Sequence, residues 1–167
     1  MKSRTLYLLS GPPGSGKTTW AKKQVEKIKA ENPNAHVFHF SRDAIRFSLL
    51  EDGDEYFSKE KLVVQKFYNV IVMALLTWDE CTVFVDATFL SPDNRTKFLR
   101  KLRELVGSFL VNAVAFKVDL DTCLYQNNLR QGRERVPEDR LTVMYFRYIP
   151  PQQDEYVYNK ILTIQSI

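Results

Sequence analysis

Short apolar and β-branched runs alternate along the chain with longer segments of helical periodicity, the pattern of a parallel sheet covered by helices. The first strand is predicted over residues 5–9, and a helix follows over 17–30, ended by Asn32-Pro33-Asn34. A second strand is predicted over 36–40, then a short helix over 43–50 and, past the acidic Asp52-Gly53-Asp54 turn, a long helix over 58–78 with Ser58 as N-cap. The third strand, 82–86, leads to a basic helix opened by Ser91-Pro92 and running to 106, and the fourth strand spans 111–118. Asp121 is expected to cap a helix to 130. An arginine-rich segment, 130–135, precedes a helix opened by Pro137 and broken by Pro150-Pro151, and residues 160–165 form a fifth strand. The expectation is one α/β domain over 1–167, a five-stranded, mainly parallel sheet with helices on both faces and a small arginine-bearing lid.

Composition narrows the class without changing this picture. With 44% hydrophobic and 26% charged residues the chain lies in the globular range. Its longest uncharged stretches, 5–16, 67–78 and 105–116, are each shorter than the ~18 to 20 residues that cross a bilayer, so no membrane span is expected. The apolar run 6–9 leads straight into a glycine-rich loop, unlike a secretory signal, and the expected location is the cytoplasm. Cys81 and Cys123 read as buried thiols without chemistry. The net charge of +4 is uneven, with seven Lys or Arg against one Glu over 1–30 and a basic 87–117 stretch, a distribution compatible with an anionic partner.

The strongest chemical signal is Gly11-Pro12-Pro13-Gly14-Ser15-Gly16-Lys17-Thr18, a G-x-x-x-x-G-K-[ST] phosphate-binding loop between a predicted strand and a predicted helix. Glycines let consecutive N–H groups curl around a phosphate and the helix N-terminus adds its dipole; Lys17 reaches the β and γ phosphates and Thr18 ligates Mg²⁺. Val83-Phe84-Val85-Asp86, an apolar strand ending in an acid, is the pattern that brings a carboxylate to the metal. Ala87 follows it, which favours transfer to a bound acceptor over hydrolysis. After the second strand, Asp43 and Arg46 share a helical face, so that the carboxylate can accept a hydroxyl proton while the guanidinium holds an acceptor phosphate. Arg130, Arg133 and Arg135 lie where a mobile lid neutralises the transferring phosphoryl group. Asp119-Leu120-Asp121-Thr122-Cys123 falls short of a phosphatase loop, because Cys123 stands where threonine is required, and His36 and His39 read as packed or edge residues.

Four elements together resemble the polynucleotide 5′-hydroxyl kinase family of the phage and bacterial type, within the P-loop kinases, over nearly the whole chain. They are Gly11 to Trp20, Ser41-Arg42-Asp43-x-x-Arg46, Asp86-Ala87-Thr88-Phe89-Leu90-Ser91-Pro92 with Arg95, and Asn127-x-x-Arg130 running into Val136-Pro137. The resemblance implies ATP on Gly11, Gly14, Ser15, Gly16, Lys17, Thr18, Thr19 and Arg130, and Mg²⁺ on Thr18 and Asp86. It implies Asp43 as base for a 5′-hydroxyl, Arg46, Asp86 and Arg95 on the substrate, and Lys17 with Arg130 or its neighbour Arg133 as catalytic cations. The implied partners are 5′-hydroxyl ends of RNA or DNA, with the basic helix of Arg95, Lys97, Arg100, Lys101 and Arg103 against backbone phosphates. No phosphatase or ligase domain is expected to follow, although relatives often carry one, so the expectation is a free-standing kinase, or one working with separate repair proteins. The lid departs from the family pattern at Gln126, in place of arginine, and by one extra residue before Val136. A small-molecule kinase and a nucleotide-dependent switch remain as alternatives.

Overall fold

The structure, a computed structural model, describes residues 2–165. Strands β1 (Ser3–Ser10), β2 (Val37–Ser41), β3 (Glu80–Asp86), β4 (Leu110–Phe116) and β5 (Lys160–Ile164) form one sheet in the order β2-β3-β1-β4-β5. Every neighbouring pair is parallel, so the expected mainly parallel sheet is wholly so. Such a sheet must be covered on both faces. Helix α1 (Lys17–Glu31) covers one, packing Trp20, Ala21, Val25 and Ile28 over Leu9, Phe84, Val114 and Phe116. On the other, α3 (Glu60–Thr77) brings Phe67, Ile71 and Leu75, and α4 (Pro92–Val106) brings Phe98, Leu99 and Leu102, onto Leu6, Leu8, Val83, Val85, Val111 and Ala113. The two-residue alternation of β1, Leu6 and Leu8 one way and Leu9 the other, sorts these side chains between the clusters.

The sheet register sets the site. Leu9 of β1 and Ser41 of β2 both pair with Asp86 of β3, so the loops after these three strands open at one level on the carboxyl edge. There α2 (Arg42–Leu49) begins, capped by the Ser41 hydroxyl, which accepts the Ala44 N–H at 3.2 Å. Beyond β4 come α5 (Leu120–Asn128), a 3₁₀ turn over Gly132–Glu134, and α6 (Glu138–Arg147). Among the described residues no helix is long and apolar enough to cross a membrane.

Three local expectations change for identifiable reasons. The Ser58 hydroxyl donates to the Glu55 carbonyl at 2.8 Å and closes a turn, so α3 starts only at Glu60. The cap of α5 is Asp119, whose carboxylate accepts both the N–H and the hydroxyl of Thr122 at 2.8 and 2.9 Å, while Asp121 lies in the first turn. Arg95, expected on the substrate, is 0% exposed. Its Nε and Nη2 donate to Glu155 at 2.8 and 2.7 Å and its Nη1 to the Phe89 carbonyl at 2.7 Å. It is a pin beneath the site that ties α4 to the turn after β3 and to the chain before β5.

Candidate nucleotide and acceptor site

The loop after β1 is fixed from below and behind. Gly11 donates its N–H to the Thr88 carbonyl at 2.9 Å, and the buried Ser15 hydroxyl donates to the Pro12 carbonyl at 2.7 Å. Gly14 has φ +78°, and a Cβ there would lie 2.3 Å from the Cys123 carbonyl oxygen, so conformation and space both require glycine. Lys17 opens α1, and its Nζ donates to the Gly11 and Pro12 carbonyls, each at 2.9 Å. Burial pulls its ammonium pKa down, against the charges of Asp86 and Asp43. The first N–H groups of α1 have no partner within the helix, which makes its N-terminus an anion site.

Asp86 ends β3 beside this loop. One of its oxygens, Oδ2, accepts the Thr18 hydroxyl at 2.6 Å and meets His39 Nε2 at 2.9 Å. Burial pushes this carboxyl up, but the hydrogen bond to His39, the Lys17 charge and the Thr18 hydroxyl outweigh it and hold the pKa below the ordinary carboxylate value. The pair of hard oxygens from Thr18 and Asp86 fits Mg²⁺, which takes few protein ligands and completes its shell with water and phosphate oxygens. Among the described residues there is no group of three or more His, Cys, Asp or Glu that could hold a metal by itself.

The opposite wall comes from α2 and the turn before α3. Asp43 accepts from Arg46 within the first turns of α2 and from the Tyr56 hydroxyl at 3.1 Å. Tyr56 in turn accepts from Arg46 Nη1 at 3.1 Å. Burial, reinforced by the Asp43 charge, pushes the Tyr56 phenol up to about 12, so it stays a donor at neutral pH. Arg46 is 4% exposed. Its Nε and Nη2 grip both oxygens of Glu60 at 2.8 to 3.1 Å, and Arg42 Nη2 holds Glu60 Oε1 at 2.6 Å. The expected phosphate-holding arginine therefore lines the site with every nitrogen bonded inside the protein.

The lid closes the third side. Asn127 exchanges two hydrogen bonds with the Val136 backbone, Nδ2 to the carbonyl at 2.6 Å and the N–H to Oδ1 at 2.9 Å. Arg135 donates to the Arg130 and Asn128 carbonyls. Arg133, expected as a catalytic cation, donates to the Leu50 and Glu51 carbonyls at 3.3 and 3.2 Å and clamps the lid to the end of α2. Arg130 is half-buried and lines the same cavity as Lys17, whose ammonium feels its charge.

These walls enclose one cavity of about 570 Å³. Of the residues singled out in the sequence, Gly14, Gly16, Lys17, Thr18, Thr19, Asp43, Arg46, Asp86, Arg130, Arg133 and Arg135 line it; Gly11 and Ser15 shape the loop behind it, and Arg95 lies outside. Tyr56, Phe57, Glu60, Arg140 and Met144 also line it, and His39 supports Asp86, none of which carries a motif signal. Burial pushes the Cys123 thiol up to about 11 and raises Cys81 too, consistent with thiols that do no chemistry.

A glycine-rich loop at the head of α1, a strand-end aspartate and a parallel sheet with an arginine lid define a nucleotide-binding protein of the P-loop kinase class. The AAA domain family model matches residues 6–151, and the chain belongs to that family. An adenylate kinase of Fervidobacterium nodosum is 28% identical over 124 residues, which cover 72% of this chain and 56% of that enzyme. The chain thus spans little more than half the length of that relative. Among solved structures, a Chloroflexus aurantiacus protein superposes with a TM-score of 0.74 at 14% identity, over 99% of this chain and 86% of the other. A fungal RNA kinase superposes with a TM-score of 0.67 at 13% identity, over 98% of this chain and 38% of the other. Likeness at these identities is a likeness of fold.

Proposed function

We propose that the chain transfers the γ-phosphoryl group of ATP to the 5′-hydroxyl of a polynucleotide, RNA or DNA. The observation that carries this reading is that the Asp43 carboxylate and the Lys17 ammonium line one cavity. A carboxylate across the cavity from a phosphate loop can serve as base for an acceptor hydroxyl, whereas a switch has no need of it. The likeness to an RNA kinase fold supports the polynucleotide as acceptor.

In this reading the loop N–H groups and Lys17 hold the β and γ phosphates. Thr18 and Asp86 hold Mg²⁺, which when bound neutralises charge on the phosphate oxygens. Asp43 accepts the hydroxyl proton as the acceptor oxygen bonds to the γ-phosphorus; the bond from that phosphorus to the β–γ bridging oxygen breaks, and ADP leaves. Arg130 faces the transferring group from the lid, while Arg133 and Arg135 hold the lid in shape. The test supplies labelled ATP with 5′-hydroxyl oligonucleotides of RNA and DNA, a 3′-phosphorylated nucleoside and a free nucleoside. Label at the 5′ end of an oligonucleotide is the expected result. A free nucleoside that outperforms every phosphate-bearing acceptor makes this a small-molecule kinase, a reading favoured by the pairing of Arg46 with Glu60.

A further inference from the structure

We infer that Arg140 of α6, and not Arg46, is the residue that binds a phosphate of the acceptor. This deepens the proposed function and rests on it. Six arginines line the cavity: Arg42, Arg46, Arg130, Arg133, Arg135 and Arg140. Four have protein partners. Arg42 and Arg46 hold Glu60, Arg133 holds the end of α2, and Arg135 holds the lid's own carbonyls. Among the described residues, the guanidinium groups of Arg130 and Arg140 alone of these six make no hydrogen bond or ion pair.

The two free cations face different reactants. Arg130 lines the cavity just after α5, whose Cys123 carbonyl packs directly against Gly14 of the phosphate loop, and so lies on the nucleotide side. Arg140 lies over the Phe57 ring, 5.3 Å from its centroid. Phe57, 44% exposed, stands edge-on to Tyr56 with centroids 4.6 Å apart, and the Tyr56 hydroxyl bonds Asp43. The contacts Arg140 to Phe57 to Tyr56 to Asp43 put Arg140 on the acceptor side. A cation–π contact uses none of the guanidinium N–H donors, which remain free to recognise a phosphate with two parallel hydrogen bonds.

The charge balance of the wall points the same way. Asp43 and Glu60 offset Arg42 and Arg46, so the wall without Arg140 carries no net charge. Were Arg46 to turn to a phosphate, it would leave the partly buried Glu60 carboxylate facing another anion with one fewer partner, a costly arrangement. Arg140 can bind an acceptor phosphate without breaking any bond in the wall. The ligand is therefore a phosphate group on the acceptor, whether a mononucleotide 3′-phosphate or the first internucleotide phosphate of a strand.

The experiment measures KM and kcat of the full chain and of Arg140→Ala, Arg140→Lys, Arg46→Lys and Arg147→Ala with a 3′-phosphorylated nucleoside, a free nucleoside and a 5′-hydroxyl oligonucleotide. Arg147 is exposed on the same helix and outside the cavity, so Arg147→Ala controls for general charge. The wild-type chain is expected to prefer the phosphate-bearing acceptors. Arg140→Ala is expected to raise KM for them about 10- to 100-fold, leaving KM for the free nucleoside unchanged, as loss of a charge-assisted hydrogen bond should. Arg140→Lys recovers part of the preference, because it restores the charge without the fork. If Arg140→Ala keeps the wild-type preference, or if Arg46→Lys alone abolishes it, the assignment is overturned while the acceptor reading stands. A wild-type chain that labels none of the three overturns that reading and this inference with it.

Discussion

Asp43 illustrates how a few hydrogen bonds decide what a carboxylate can do. Arg46 and Tyr56 hold one of its oxygens, Oδ1, and no bond ties it to the phosphate loop. Changing Asp43 to Asn is therefore expected to leave nucleotide affinity intact and to lower turnover about 10²- to 10⁴-fold, the range of a lost general base, measured by equilibrium nucleotide binding beside steady-state kinetics. Loss of nucleotide affinity instead would give Asp43 a role in the nucleotide site. Tyr56→Phe removes one donor without changing the ring, and is expected to lower kcat several-fold with KM for ATP unchanged. The sequence marks Lys17, Thr18, Asp43 and Asp86 because each belongs to a local pattern whose spacing the chemistry dictates. It leaves Tyr56, Glu60 and Arg140 unmarked because their roles exist only through contacts between elements. The Asp43-x-x-Arg46 spacing was legible, but the role expected of Arg46 was not, since it depends on Glu60, 14 residues further on.

Among the elements, the lid and the pin beneath the loop separate two kinds of arginine. The cluster 130–135 looks uniform in sequence, and only the fold shows that Arg133 and Arg135 serve carbonyls while the Arg130 guanidinium lines the cavity with Lys17. Alanine at each in turn is expected to act unequally. Arg130→Ala should cost about 10³-fold in kcat as a transition-state cation. Arg133→Ala should act mainly through KM by freeing the lid from α2, and Arg135→Ala should act weakly; three equal, mild losses would mean a general electrostatic surface. Arg95 was legible as an arginine at the head of a basic helix, but its burial was not, because Glu155 reaches it from 60 residues away. Burial raises the Glu155 pKa, but hydrogen bonds from Arg95, Tyr158 and the Gln152 N–H outweigh it, so the folded value lies below the ordinary 4.5. The unfolded chain thus binds this proton first as pH falls, and the stability from Glu155 is present above that ordinary value and lost below it. Glu155→Ala is expected to destabilise by about 3 to 5 kcal/mol near neutral pH, by stranding a buried guanidinium, and to reduce the acid dependence of the melting temperature between pH 3 and 5.

At the scale of the whole molecule, the net charge of +4 and the basic run of α4 invite a nucleic-acid surface along that helix, and the fold sets those charges apart from the cavity. Helix α4 buries Phe98, Leu99 and Leu102 against the sheet and α3. Its Lys101 ammonium lies 4.3 Å from the Tyr68 centroid, and the Arg103 guanidinium lies over Phe109 and Tyr156. None of its cations lines the cavity where Asp43 and the phosphate loop meet. The sheet and its helices were legible from periodicity, whereas the direction in which the α4 charges face depends on packing that a charge count does not contain. The salt dependence of acceptor binding should therefore report a single cavity contact. KM for a 5′-hydroxyl oligonucleotide is expected to rise by ~0.7 log units per log unit of salt, the slope of one single-strand phosphate contact. Lys97→Gln combined with Arg100→Gln, both exposed on α4, should leave this slope unchanged, and Arg140→Ala should flatten it. A slope several times larger that falls in the α4 variant would make that helix the nucleic-acid interface, with the strand leaving the cavity along it.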